Sequence, residues 1–428
     1  MAETVYPGSV AGTVHMPGSK SHTIRALLIA SLVEGKSELY LPLFSRDTEA
    51  CIEAVHAFGA EVEREADRLT VRGVGGTPAV PRHTLDVQNS GTTLFLATTV
   101  AALADGTVCF DGDQSIRRRS AEPLLAALRQ LGASVEERGE PGCAPYCVTG
   151  PIRGGEASIS CRTSQYLSSL LIGLPLASGD SEIEVPLLFE RPYVEMTLSW
   201  LDRLGIRYQR QGYERFSVPG RQRYSSFSLP IPGDFSSATF FFVLPAVTGG
   251  ALEITGLDLS DPQGDKEVLS VLELMGCTIH RGNRAIRVEG PAPRRSGGPG
   301  LKGGTFDINN MPDALPALAV AATGASEPVR LSNVAHARLK ETDRIAVMAE
   351  ELGKMGAEVV ELEDGLEIRP SFLRPSHLNA HEDHRVAMSL AVAAMATQGN
   401  DPTVIEGADC ADVTFPGFFD LLESVRQR

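Results

Sequence analysis

Cations at the starts of predicted helices are the first sign of chemistry in this chain. "PGSKSHTIRALLIAS", residues 17–31, puts Lys20 on the first turn of an amphipathic pattern in which Ile24, Leu27, Leu28 and Leu32 recur at three- and four-residue spacing, with Pro17-Gly18-Ser19 as the turn into it. Peptide dipoles leave positive partial charge at a helix N-terminus, so a lysine there is unfavourable unless an anion sits beside it. "SIRRRSAEP" sets Arg117, Arg118 and Arg119 just ahead of another helix, and "DHRVAM" sets Arg385 in the first turn of a third. "HARLKETDRIAVMAEEL" reads as a helix carrying Lys340 and Arg344 four apart on one face, a like-charge pair that weakens an isolated helix. Lys20, Arg119, Lys340, Arg344 and Arg385 in an acidic chain imply a ligand with more than one anionic group. The order Gly-Ser-Lys-Ser fails the P-loop pattern, and no dinucleotide fingerprint follows a first strand.

The elements that must carry these residues recur six times. A polar turn, an apolar Ala-rich helix, a second turn and a strand repeat with helix starts near Lys20, Gly91, Gln165, Ser236, Asp313 and His384, a spacing of about 72 residues, long for a solenoid. Between them lies an amphipathic helix closed by Gly59, Gly132, Gly205, Gly276 or Gly356, where a left-handed C-cap suits glycine. Each unit therefore reads βαβαββ, the sixth completed by the N-terminal strand, and six units suggest two domains of three. "PAPRRSGGPGLKGG", residues 291–304, reads as a surface loop. The first helical turns hold Lys20-Ser21, Asn89-Ser90-Gly91-Thr92, Thr163-Ser164-Gln165, Asp313 and Asp383-His384-Arg385. Any one Ser, Thr, Asn or Asp there is most simply an N-cap; their recurrence across the repeats points to an anion site.

Composition narrows the partner. The chain has 428 residues and a formal net charge of -15, which argues against a general grip on nucleic acid or an anionic membrane. Seven cysteines show neither paired metal-ligand spacing nor a disulfide framework, so the expectation is unpaired thiols, no metal and a cytoplasmic protein. No leader-like segment opens the sequence, and no apolar run approaches a membrane span.

The stretches "PGSKS", "NSGTT", "TSQY", "RPY", "PDALPALAV", "RLKETDR", "DHRVAM" and "FPGFF" resemble the 5-enolpyruvylshikimate-3-phosphate (EPSP) synthase family of enolpyruvyl transferases, collinearly over essentially the whole chain. The resemblance implies an inverse αβ barrel of two domains, each of three βαβαββ units: residues 1–19 with 232–428, and residues 20–231, with the active site in the cleft between them. It implies transfer of the carboxyvinyl group of phosphoenolpyruvate (PEP) to an acceptor hydroxyl with release of phosphate, without cofactor or metal, by a monomer. Carried over residue by residue, Lys20, Gly91, Arg119, Gln165, Arg344 and Arg385 would hold PEP. Asp313 would take the hydroxyl proton, and Glu341 with Lys20 would exchange protons at the methylene carbon. Ser21, Arg25, Thr163, Ser164, Gln165, Glu190, Tyr193, Asp313, His336 and Lys340 would line the acceptor.

Departures from the family pattern bear on the acceptor. Val413 stands where the pattern has a PEP-binding lysine, Phe95 where it has an arginine, and Ser120 follows Arg119 in place of proline. Glu190 replaces a serine expected at the acceptor phosphate, and His336 replaces an asparagine. Like charge at Glu190 leads to the expectation of an acceptor other than shikimate 3-phosphate, for example a nucleotide such as UMP. A divergent EPSP synthase and a non-catalytic binding relative are the alternatives.

Overall fold

The computed structural model describes residues 1–283, 285–291 and 300–427, so residues 292–299 of the expected loop at 291–304 lie outside the described residues. Six apolar stretches form helices: Lys20–Leu32, Gly91–Ala101, Ser164–Gly173, Phe235–Thr248, Leu315–Thr323 and His384–Met395. They are interior helices, buried nearly all round, and mostly apolar as such burial requires. The amphipathic reading of the first is thereby corrected: every residue from His22 to Leu32 is buried, Thr23, Arg25 and Ser31 included. Leucine spacing alone did not show that its polar positions also face the interior.

The second set of helices keeps one wet face. Arg46–Ala57, Glu122–Gln130, Arg191–Arg203, Val268–Leu274 and Arg344–Lys354 are followed by Gly59, Gly132, Gly205, Gly276 and Gly356, all at positive φ (91°, 96°, 68°, 104° and 88°). A side chain is strained in that conformation, and glycine ends each helix without that cost. The helix expected to carry Lys340 and Arg344 on one face is corrected here. It begins only at Arg344, because the Asp343 side chain accepts from the Ala346 N–H and caps it, while Lys340 is extended. The two cations are not a helical pair.

Among the described residues, five four-stranded sheets pack with the helices, and in each the first two strands are parallel and the rest antiparallel. Gly155–Cys161 runs parallel to Ser181–Leu188 with Ala157 beside Ile183, and Arg215–Val218 and Gln209–Gln211 follow antiparallel. Two first strands are exchanged: Ala11–His15 pairs with Ala251–Thr255, and Ser228–Pro230 pairs with Glu34–Tyr40. The sixth sheet has three strands among the described residues, His377–Asn379, Thr403–Glu406 and the N-terminal Glu3–Val5, which lies antiparallel to the second. One compact unit contains Met1–Pro17, Gly233–Ser260 and Gly264–Arg428; the other contains Gly18–Pro232 with Asp261–Gln263. Each has its own core, with Phe240, Phe241, Phe415 and Phe418 packed edge-to-face or tilted against one another in the first and Trp200 against Phe227 in the second.

The expectation of unpaired cysteines is also corrected. Cys109 and Cys147 form a disulfide, because they lie directly opposite one another on the antiparallel strands Thr107–Asp111 and Tyr146–Thr149. Thirty-eight residues separate them in sequence, so only strand register brings them together. Among the described residues no helix is long and apolar enough to cross a membrane.

Candidate active site

In the unit holding Gly18–Pro232, Lys20 answers its helix dipole with a carboxylate: its Nζ lies 3.0 Å from Oδ2 of the buried Asp47. Gly91 opens its helix with Ser90 as the cap, whose hydroxyl accepts from the Thr93 N–H. A Cβ on Gly91 would sit 2.4 Å from Arg119 Nη1, so the missing side chain is what lets that guanidinium approach the helix start. Gln165 Nε2 donates to Thr92 Oγ1 at 3.2 Å, and the Tyr166 hydroxyl donates to the Ser120 carbonyl, next to Arg119. Gly91, Thr92, Arg119 and Gln165 thus form one patch.

Arg25 lies deeper. It is 1% exposed, and its guanidinium donates to Thr197 Oγ1 (2.8 Å), the Ser21 carbonyl (2.9 Å), Ser168 Oγ (3.4 Å) and the Tyr193 carbonyl (3.1 Å). Burial pushes its pKa down to about 10, against the opposing charges of Tyr193 and Glu190, so it stays a cation. Glu190 is 2% exposed, and its Oε2 accepts from Thr163 Oγ1 (3.1 Å), the Ser164 N–H (3.1 Å) and Ser164 Oγ (2.9 Å). Ser21, Arg25, Thr163, Ser164, Glu190 and Tyr193 therefore converge.

The other unit holds a denser ionic cluster. Arg344, 1% exposed, donates from Nε to Asp383 Oδ2 (2.7 Å), from Nη1 to Asp313 Oδ1 (2.8 Å), and from Nη2 to Glu341 Oε2 (2.5 Å) and Asp383 Oδ1 (3.2 Å). Arg385 Nη2 lies 3.0 Å from Asp313 Oδ2, and Lys340 Nζ lies 3.8 Å from Asp313 Oδ1. Burial alone would raise the Asp313 pKa, but Arg385, Lys340 and Arg344 together hold it well below the usual carboxylate range. Burial likewise opposes the charge of Arg344, and Asp383, Glu341 and Asp313 outweigh it and push its pKa up. Asp383 also caps its own helix, accepting from the Arg385 and Val386 N–H groups. His336 is buried in the short turn Ala335–Leu339, and Val413 is buried in the turn Ala408–Val413.

Several functional neighbours escaped the sequence reading. Nothing in the sequence singles out Asp47 or pairs it with Lys20 across the intervening residues. Thr197 and Ser168, the partners of Arg25, lie on other helices. His22 is held between Trp200, whose Nε1–H donates to Nδ1 at 2.9 Å, and Asp261, whose Oδ1 lies 3.1 Å from Nε2. Because Nδ1 accepts, the proton facing Asp261 belongs to Nε2. Asp383 sits in a motif already singled out, yet its grip on Arg344 needs the fold.

Other features of the surface and interior lie apart from these clusters. A cavity of about 700 Å³ is lined by Thr248, Thr323, Met395 and Thr397, at the C-terminal ends of three interior helices rather than at their first turns. Glu350, Glu351 and His381 converge, but Lys354 Nζ already lies 2.8 and 2.7 Å from the two carboxylates. Burial pushes the thiols of Cys161 and Cys277 up to about 12, so neither is a nucleophile at neutral pH.

An α/β chain of six repeated units with cation-rich first turns finds its match in one family. The sequence pattern of EPSP synthase (3-phosphoshikimate 1-carboxyvinyltransferase) matches residues 5–422. A protein of Acetivibrio thermocellus named 3-phosphoshikimate 1-carboxyvinyltransferase is 48% identical over 98% of this chain and 96% of its own length. One of the same name from Methanoculleus marisnigri is 38% identical over 97% of each chain. The structure of EPSP synthase from Acinetobacter baumannii superposes with a TM-score of 0.82 at 26% identity, covering 99% of this chain and 98% of that one. This chain belongs to the EPSP synthase family of transferases, and its fold is the inverse αβ barrel of that family.

The expectation of an acceptor other than shikimate 3-phosphate, such as UMP, is overturned. Relatives at 38–48% identity over nearly the whole chain are named 3-phosphoshikimate 1-carboxyvinyltransferase. The Glu190 carboxylate is hydrogen-bonded to Thr163 and Ser164 within the protein, so its charge has donors of its own rather than standing bare beside an acceptor.

Proposed function

We propose that this chain transfers the carboxyvinyl group of PEP to a hydroxyl of shikimate 3-phosphate with release of inorganic phosphate. The observation that carries the reading is the cluster in which Asp313 is surrounded by Arg344, Arg385 and Lys340. PEP carries a carboxylate and a phosphate, groups for which Arg344 and Arg385 are suitable donors; Lys20, Gly91, Arg119 and Gln165 are likewise proposed as PEP-binding residues. The three cations beside Asp313 keep it ionised. A carboxylate held that low is a weak base. Anionic substrate drawing those cations to itself would let the Asp313 pKa rise toward the range in which it accepts the hydroxyl proton.

The chemistry then balances in two steps. A proton is delivered to the methylene carbon of PEP, C2 becomes cation-like, and the acceptor oxygen adds there as Asp313 takes its proton. The tetrahedral adduct loses a proton from the same methyl carbon, and the C2–O bond to phosphate breaks. Glu341 and Lys20 are the groups proposed for proton exchange at that carbon. Ser21, Arg25, Thr163, Ser164, Gln165, Glu190, Tyr193, His336 and Lys340 are proposed on the acceptor side.

The test is phosphate release from PEP in the presence of shikimate 3-phosphate, with the carboxyvinyl ether identified by mass. Release that depends on both substrates is expected. Binding of both without turnover would refute the reading.

A further inference from the structure

Glu190 holds an unusual place for a carboxylate. Its backbone is left-handed (φ 58°, ψ 42°), it stands at the N-cap of Arg191–Arg203, and its side chain does not cap that helix. It reaches instead to the start of the neighbouring helix Ser164–Gly173, where one oxygen accepts two hydroxyls and a backbone N–H. Those donors and the positive end of the helix favour any anion, and a phosphate more than a carboxylate, because it brings more charge and more acceptor oxygens. Arg25 adds a second, independent demand for negative charge. Its guanidinium is fully buried, its hydrogen bonds go to the neutral oxygens of Thr197, Ser21, Ser168 and Tyr193, and Glu190 is the carboxylate whose charge offsets it.

We propose that Glu190 is a resident anion in the acceptor-phosphate subsite and sets acceptor affinity: the phosphate of the acceptor takes the Thr163 and Ser164 donors by displacing the carboxylate. This rests on the reading of Thr163 and Ser164 as acceptor-binding residues. Glu190 is then a specificity-determining residue. Every acceptor must overcome an internal competitor, which a dianionic phosphate can do and an uncharged hydroxyl cannot. The left-handed backbone is part of the device, since it points the side chain of an N-cap residue away from its own helix and onto the next one.

The experiment is calorimetric titration of shikimate 3-phosphate, and separately of unphosphorylated shikimate, into the wild-type protein and the Glu190→Ser and Glu190→Gln variants. The glutamine variant keeps the size of the side chain should the serine variant fold poorly. Removing one charge-assisted competitor should tighten shikimate 3-phosphate by about tenfold in either variant and leave shikimate unchanged. Inorganic phosphate should raise the melting temperature of the variants more than that of the wild type. Unchanged or weaker binding of shikimate 3-phosphate by both variants, with wild-type turnover intact, would overturn the role of Glu190 alone. An equal gain for shikimate would overturn it too. A wild-type protein that neither binds shikimate 3-phosphate nor releases phosphate with it would overturn both this role and the function on which it rests.

Discussion

Replacing Arg344 by methionine keeps much of the side-chain length and removes the charge that three carboxylates share. Asp313 would retain Arg385 at 3.0 Å and Lys340 at 3.8 Å. Asp383 would not fare as well: its side chain is 0% exposed, and it would keep only the N–H groups of Arg385 and Val386. Stranding a buried charge in this way costs about 3–5 kcal/mol. At about 2–4 °C per kcal/mol for a unit of this size, the melting temperature should fall by about 6–20 °C. Arg344→Met should therefore unfold at clearly lower urea or temperature at pH 7. Adding Asp383→Asn, which keeps a capping oxygen but discards the stranded charge, should recover part of the loss. The sign with pH follows from linkage. The folded-state pKa of Asp313 lies below its unfolded value, so its stabilisation is present above the unfolded pKa and is lost as pH falls through the folded one. An Arg344→Met protein within about 1 kcal/mol of wild type at pH 7, or a double variant no more stable than the single, would refute an uncompensated charge as the cause.

Asp313→Ala and Glu341→Gln should each lose about a hundredfold or more in phosphate release while remaining folded by circular dichroism; near-normal turnover would remove that residue from the mechanism. Gly91→Ala should raise the KM for PEP more than it lowers kcat, because the added Cβ would meet Arg119 Nη1 at 2.4 Å and must push that guanidinium aside; an unchanged KM would show that Arg119 does not hold PEP. Trp200 is the single tryptophan, so His22→Leu, which strands the indole N–H and removes one partner from the buried Asp261, should shift its fluorescence emission and lower the melting temperature. His22→Gln, able to accept from Trp200 and donate to Asp261, should restore both, and failure of that rescue would argue against the hydrogen bonds as the cause.

The repeats were legible in the sequence because their cause is local. Gly59, Gly132, Gly205, Gly276 and Gly356 each end a helix in a conformation that penalises any Cβ, and the six apolar helices announce themselves by composition. The family motifs around Lys20, Asp313, Arg344 and Arg385 are likewise short and contiguous. Pairing across the chain was not legible. The Asp47 carboxylate beside Lys20, Asp383 beneath Arg344, and Cys109 opposite Cys147 depend on how separate elements pack, which no spacing along the chain encodes. Glu190 shows the difference most plainly. Its charge, read in isolation, implied repulsion of an acceptor phosphate. The folded chain aims that carboxylate at Thr163 and Ser164, because one left-handed residue at the start of a helix turns its side chain onto the neighbouring one. Side-chain direction is a property of backbone conformation and packing, so only the tertiary structure decided what that charge does.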